Sequence, residues 1–192
     1  MKAAKSRTAA ETPEPAFFSA AVSVARRFYL DLNPPVSQPL SVICGGLEHC
    51  TTNYAICRKT FPFYSIEYVA RGAGHLLLGG QCHSLEPGTV FSYGPGVPHE
   101  ITGDDQLPLV KYFVDFSGRN ATGLLKSCKL AAGSVARVHP ASTLVALFDE
   151  LLESGLNVGR KNAELCAKLL ECLAFKSSSP STASRRSVRV QG

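Results

Sequence analysis

The segment LVKYFVDF, read as a strand, sends Lys111, Phe113 and Asp115 to one face and Tyr112 and Val114 to the other. One face thus carries a cation, an aromatic plate and a carboxylate. Arg58, just ahead of the segment YSIEYV, adds a planar fork of donors, Glu67 lies within that segment, and His99 leaves the tight turn GPGVP. Side chains of these types suit a polyhydroxylated ligand, whose C–H face stacks on rings while charged groups bond its hydroxyls. The plainer alternative is that Arg58 and Asp115 pair with each other or with surface neighbours.

A metal centre would need three or four histidine or carboxylate ligands converging from neighbouring strands. Glu67 and His99 are the inward-facing candidates, but no histidine lies between Arg58 and Glu67. His75 and His83 flank a Gly79-Gly80 turn, where exposure is expected. No metal and no cofactor are therefore expected. Nucleophilic catalysis has no G-x-S-x-G elbow to support it, and no phosphate-cradling glycine loop precedes a helix.

The elements that must position these residues are short. From Val42 onward, strand-like runs of about ten residues' spacing are each closed by Gly or Pro. HLLL, the Gly79-Gly80 pair and QCHSL read as a tight hairpin. TVFSY, HEIT and LVKYFVDF follow, and SVARVH is a last strand. This rhythm predicts an antiparallel barrel or sandwich. ATGLLKSCKLAAG reads as a short helix closed by Gly133. STLVALFDELLESG aligns Leu144, Leu147, Phe148, Leu151 and Leu152, with Ser142 or Thr143 as N-cap and Gly155 as the stop. NAELCAKLLECLAFK repeats the pattern with Leu165, Leu169, Leu170 and Leu173, capped by Asn162, so an αα-hairpin is expected. Its apolar faces need either the barrel or a second subunit. AFFSAAVSVARRFYLDL is apolar enough to pack, with no clear element type.

Composition narrows the class. The chain has 192 residues and 45% apolar content, enough for one domain with a core and some appendages. No apolar run reaches the length of a membrane span, and the N-terminus lacks the apolar stretch of a secretory signal, so a cytoplasmic protein is expected. Seven cysteines, an odd number without a C-x-x-C pair, read as reduced and mostly buried. The net charge of +5 lies in the ends: residues 1–27 and 177–192 each carry an excess of three positive charges. The body is close to neutral, which gives no basic face for nucleic acid.

Taken together, EYVARGAGHLLLGG, LEPGTVFSYGPGVPHEI and KYFVDFSG resemble the ligand-binding and dimerisation domain of AraC-type transcription regulators. The resemblance implies a mainly β fold, a double-stranded β-helix or cupin-like jelly roll, followed by a pair of amphipathic helices. Metal-binding cupins place histidines four to seven residues before a motif glutamate. Here Glu67 and Gly74 keep the glutamate-to-glycine spacing, but the histidine places hold Thr60 to Phe63. Gly88, Gly96 and His99 keep the second motif, with Gly94 where proline is usual. The resemblance thus implies a metal-free cupin whose His99 is a turn or pocket residue. Sugar-responsive members draw their pocket from places that match Arg58, Ile101, Lys111 and Phe113, of which Ile101 and Lys111 depart from the arabinose-binding pattern.

The expected organisation is a flexible segment over residues 1–35 that could supply an arm over the pocket, a ligand-binding barrel over 36–139, a helical hairpin over 140–176, and a linker or tail over 177–192. The expected ligand set is Arg58, Glu67, His99, Ile101, Lys111, Phe113 and Asp115. The expected dimerisation set is Leu144, Leu147, Phe148, Leu151, Leu165 and Leu169. The reading is a sensor of a saccharide or similar small polar effector, homodimeric, not an enzyme, with no membrane contact. DNA would be reached only through a helix-turn-helix domain that these residues do not contain. The alternatives are a metal-dependent cupin enzyme, an isomerase or dioxygenase, and a dimerisation-only remnant of a regulator.

Overall fold

Short segments whose side chains alternate between two faces build two antiparallel sheets that face each other. The computed structural model describes residues 15–177 apart from Val36 and Val158. The strands are β1 (Val22–Tyr29), β2 (Ser41–Cys50), β3 (Ala55–Arg58), β4 (Tyr64–Arg71) and β5 (Gly74–Leu78). They continue as β6 (Gln81–Leu85), β7 (Thr89–Tyr93), β8 (His99–Gly103), β9 (Val110–Ser117) and β10 (Val135–Arg137). The helices are α1 (Ala121–Ser127), α2 (Ser142–Leu156) and α3 (Arg160–Ser177). One sheet runs β1-β2-β9-β4-β7-β10 and the other β3-β8-β5-β6. The result is the mainly β, jelly-roll architecture with C-terminal helices that the sequence predicts.

The period-2 rule divides each strand of the larger sheet between two cores. Val69, Phe91 and Tyr93 point inward to meet Leu76, Leu78 and Ile101 of the smaller sheet. Ile66, Tyr68, Tyr112, Val114 and Phe116 point outward, where the helices cover them. The hairpin between β5 and β6 turns on Gly79 and Gly80, both at positive φ, as a two-residue turn matched to strand twist requires.

The helices differ from expectation in three respects. Leu144, Phe148 and Leu151 are 1–2% exposed because they pack on the outer face of the sheet of their own chain. They are therefore covered within their own chain, whereas Leu147 and Leu169 are partly covered and Leu165 is exposed. Exposed Phe175 and Cys172 lie on the same helix as Leu165. Secondly, α2 runs through Gly155 to Leu156, and the residue before Ser142, Ala141, takes the cap position without a side-chain bond. Gly155 is needed for close approach, since a Cβ there would come within 2.3 Å of the Phe28 ring. Thirdly, Asn162 lies inside α3 and donates instead to the Asn157 carbonyl.

The expected arm also changes character. Its residues 22–29 are β1, paired antiparallel with β2 from Val22↔Cys50 to Tyr29↔Cys44, so this part extends the barrel sheet instead of hanging free. Residues 1–14 of that arm and residues 178–192 of the expected tail lie outside the described residues. No helix among the described residues is long and apolar enough to cross a membrane.

Candidate functional site

Five strands send polar side chains into one end of the barrel interior. β9 contributes Lys111 and Asp115 with Phe113 between them, as alternation predicts, and β4 contributes Ser65 and Glu67. β2 contributes Glu48 and Cys44, β3 contributes Arg58, and β1 contributes Arg27. Lys111 and Asp115 are each 3% exposed, as are Glu48 and Glu67.

Register explains how these charges meet. Glu48 and Lys111 are direct partners across the β2–β9 ladder. Lys111 Nζ stands 2.9 Å from Glu48 Oε2 and 2.8 Å from Glu67 Oε2. Arg27 approaches the other Glu48 oxygen, with Nη2 at 2.8 Å and Nε donating at 2.9 Å. Tyr93 donates its hydroxyl to Glu67 Oε1 at 2.6 Å. The Lys111 ammonium also lies over the rings of Phe113 and Tyr54, at 5.2 and 5.5 Å from their centroids. The chain Arg27–Glu48–Lys111–Glu67–Tyr93 therefore satisfies most of its own charge in a buried setting.

Proton affinities follow from these contacts. Burial opposes the Lys111 charge, but Glu48 and Glu67 overcome it and hold the ammonium well above its ordinary range. Burial likewise opposes the Glu48 charge, and Lys111 with Arg27 brings that carboxyl below its ordinary value. Asp115 makes no ion pair among the described residues, and burial pushes it up to about 7, with the Ser65 hydroxyl across the ladder working in the other direction. Its Oδ2 accepts from the Cys44 thiol at 3.3 Å, while Oδ1 has no hydrogen-bond partner. Burial and Asp115 together push the Cys44 thiol far up, so it serves as a donor and not as a nucleophile.

Above this network lies the segment Phe17–Ser19. Arg58 donates through Nη2 to the Phe17 carbonyl, and Arg27 Nη2 reaches the Ser19 carbonyl at 3.5 Å. The Phe18 ring lies 4.6 Å from the Arg27 guanidinium carbon and 5.6 Å from the Phe113 ring. Phe17 packs edge-on against Phe61 and Phe63. The space left beneath them is about 20 Å³, enough for about one water molecule. Tyr54, Ile56 and Tyr93 complete its wall.

Of the seven residues expected to contact a ligand, Arg58, Glu67, Lys111, Phe113 and Asp115 line this one cavity. His99 and Ile101 do not. Ile101 is fully buried in the core between the sheets. The His99 ring is covered by Tyr93, stacked at 3.8 Å and 24°, and Phe61 meets it edge-on. Its Nδ1 faces the Val97 carbonyl at 3.3 Å, and burial lowers its proton affinity. His99 thus supports the cavity through the Tyr93 ring. Tyr93 in turn occupies Glu67 Oε1, and no group of three His, Cys, Asp or Glu side chains among the described residues is placed to hold a metal ion.

Sequence reasoning passed over Arg27, Glu48, Tyr93, Cys44 and the Phe17–Phe18 pair. One signal was present: in SVICGGLEHC, alternation puts Cys44, Gly46, Glu48 and Cys50 on one face. A glutamate on an otherwise small and apolar face is a buried-charge candidate.

A family model, the AraC-like ligand binding domain, matches residues 44–174. No curated protein matches the chain. Similar solved structures include the plu4264 protein from Photorhabdus luminescens, at 10% identity and TM-score 0.40 over 62% of this chain and 97% of that one. YhaK from Escherichia coli is 13% identical at TM-score 0.41, over 50% of this chain and 46% of its own. A salicylate 1,2-dioxygenase from Pseudoaminobacter salicylatoxidans is 16% identical at TM-score 0.39, over 61% and 30% respectively. At these scores the likenesses carry no argument about chemistry.

Proposed function

Because the chain belongs to the AraC-like ligand binding domain family, we propose that it is the effector-sensing and dimerisation domain of a cytoplasmic transcription regulator. The effector is a saccharide or similar small polar molecule, taken into the barrel without a metal. The observation that carries this reading is the convergence of Glu48, Arg58, Glu67, Lys111 and Asp115 on one interior cavity walled by Tyr54 and Phe113, with Arg27 paired to Glu48. Charges removed from water cost several kcal/mol each unless paired, and apolar side chains of similar volume serve stability as well or better. A polar barrel interior with aromatic plates is what a small polar ligand requires.

Ligand entry needs the Phe17–Ser19 cover to move, since the space beneath it is too small for a sugar. The effector would then select between two arrangements of the N-terminal segment, to the extent that it binds one better than the other. A homodimer would form through the exposed side of α3 around Leu165, and DNA would be contacted by a domain outside this sequence.

The test is a thermal melt of the purified chain against sugars and divalent metals, with a chelator control. A sugar at a hundredfold excess over Kd should raise Tm by roughly 5–10 °C, with metal and chelator inert. A shift with metal, or loss with chelator, would point to a cupin enzyme instead. The dimerisation-only reading has one observation in its favour, the cavity of about 20 Å³. It predicts no shift with any compound.

A further inference from the structure

The cover over the cavity shows what the cavity recognises. Arg58 donates to the carbonyl of Phe17, and it makes no ion pair with a carboxylate among the described residues. Its guanidinium carbon instead lies over the Phe61 ring, 4.9 Å from the centroid. Glu48 and Glu67 are already committed, the first to Arg27 and Lys111, the second to Lys111 and Tyr93. The barrel mouth therefore presents a planar donor fork whose present partner is a neutral backbone oxygen. Deeper in, the buried Asp115 keeps Oδ1 without a hydrogen-bond partner. Phe113 and Tyr54 line the same cavity, with the Phe18 ring lying against Phe113.

Withdrawal of Phe17–Ser19 would expose these groups together: a cation, an aromatic wall and a carboxyl with one oxygen unpartnered. We propose that the effector is a hydroxy acid of the sugar-acid type, its carboxylate taking the place of the Phe17 carbonyl on Arg58. Its hydroxyls reach Asp115, and its C–H face covers Phe113 and Tyr54. The proposal rests on reading the barrel interior as the effector pocket, and names the chemical class for it. A carboxylate gives Arg58 a charge-assisted, two-point pair that the carbonyl cannot. A neutral sugar leaves Arg58 without a counter-charge, and a simple carboxylic acid leaves Asp115 Oδ1 without a partner.

Matched pairs separate the chemistry from the pocket itself. The full chain is melted with galacturonate beside galactose and with gluconate beside glucitol, in the wild type, in Phe18→Ala to loosen the cover, and in Arg58→Met. The acids should raise Tm by roughly 5–10 °C at a hundredfold excess over Kd. The neutral partners should do less, Phe18→Ala should lower the concentration needed, and Arg58→Met should abolish the preference for the acid. Should a neutral partner match its acid in the wild type, the hydroxy-acid class is wrong while the pocket reading stands. Should no compound of either kind shift the wild type or Phe18→Ala, the pocket reading falls and this proposal with it.

Discussion

Lys111 and Glu48 form a buried ion pair, 2.9 Å from Nζ to Oε2, between residues that face each other directly across two neighbouring strands. Glu67, at 2.8 Å, makes the same lysine the counter-charge of two carboxylates. Removing the cation leaves one of them, Glu67, with no basic partner. Lys111→Met should therefore lower stability by about 3–5 kcal/mol, a drop in Tm of roughly 6–20 °C. The double variant Lys111→Met/Glu67→Gln keeps the Arg27–Glu48 pair and should recover part of the loss. A single variant melting with the wild type would mean that water reaches the network and screens it.

Asp115 gives a pH dependence of defined sign. Its carboxyl is pushed from 3.8 up to about 7 in the folded protein. The folded state thus keeps a proton that the unfolded chain releases, so this contribution is full below 3.8 and lost as pH rises through about 7. His99 acts in the opposite sense, since burial holds it below 6.5 and its contribution is lost as pH falls. The difference in stability between wild type and Asp115→Asn isolates the first effect. It should decline from pH 4 to pH 7 in chemical denaturation; a flat difference would mean Asp115 is already ionised.

Gly155 allows α2 to lie against Phe28. An alanine is the better helix former by about 1 kcal/mol, yet its Cβ would fall 2.3 Å from the Phe28 ring. Overpacking of this kind costs about 1–3 kcal/mol. Gly155→Ala should therefore not stabilise the protein and should lower its Tm, with Phe28→Leu in the same chain restoring part of it. A gain in Tm from the single change would show that the helix can slide away from the sheet.

The helices make a prediction about assembly. Leu165 is 43% exposed, whereas Phe148 is 2% exposed in the core of its own chain. If the chain forms the proposed homodimer, Leu165→Glu should halve the mass measured by light scattering while the chain stays folded by circular dichroism. Phe148→Ala should cost about 3–5 kcal/mol through the cavity it leaves. A dimer that survives Leu165→Glu would move the interface off this side of α3.

What the sequence determined by itself was local. Alternation along one strand is a property of that strand, so Lys111, Phe113 and Asp115 could be placed on one face before any partner was known. The Gly79-Gly80 hairpin and the leucine stripes of α2 and α3 follow from equally short-range rules. Tertiary structure decided what faces what. A leucine stripe says that a face is buried but not by which surface, and for Leu144, Phe148 and Leu151 that surface is the chain's own sheet. The meeting of Cys44 with Asp115, 71 residues apart, depends on strand register set by the whole sheet. Glu48 joins Arg27 and Lys111 for the same reason. The resemblance suggested an N-terminal arm over the pocket, but not that Phe17 and Phe18 would seat it there, because an apolar pair in a segment without periodicity carries no address. Side-chain period is written in neighbouring residues, whereas partnership between distant charges exists only once the chain has closed its barrel.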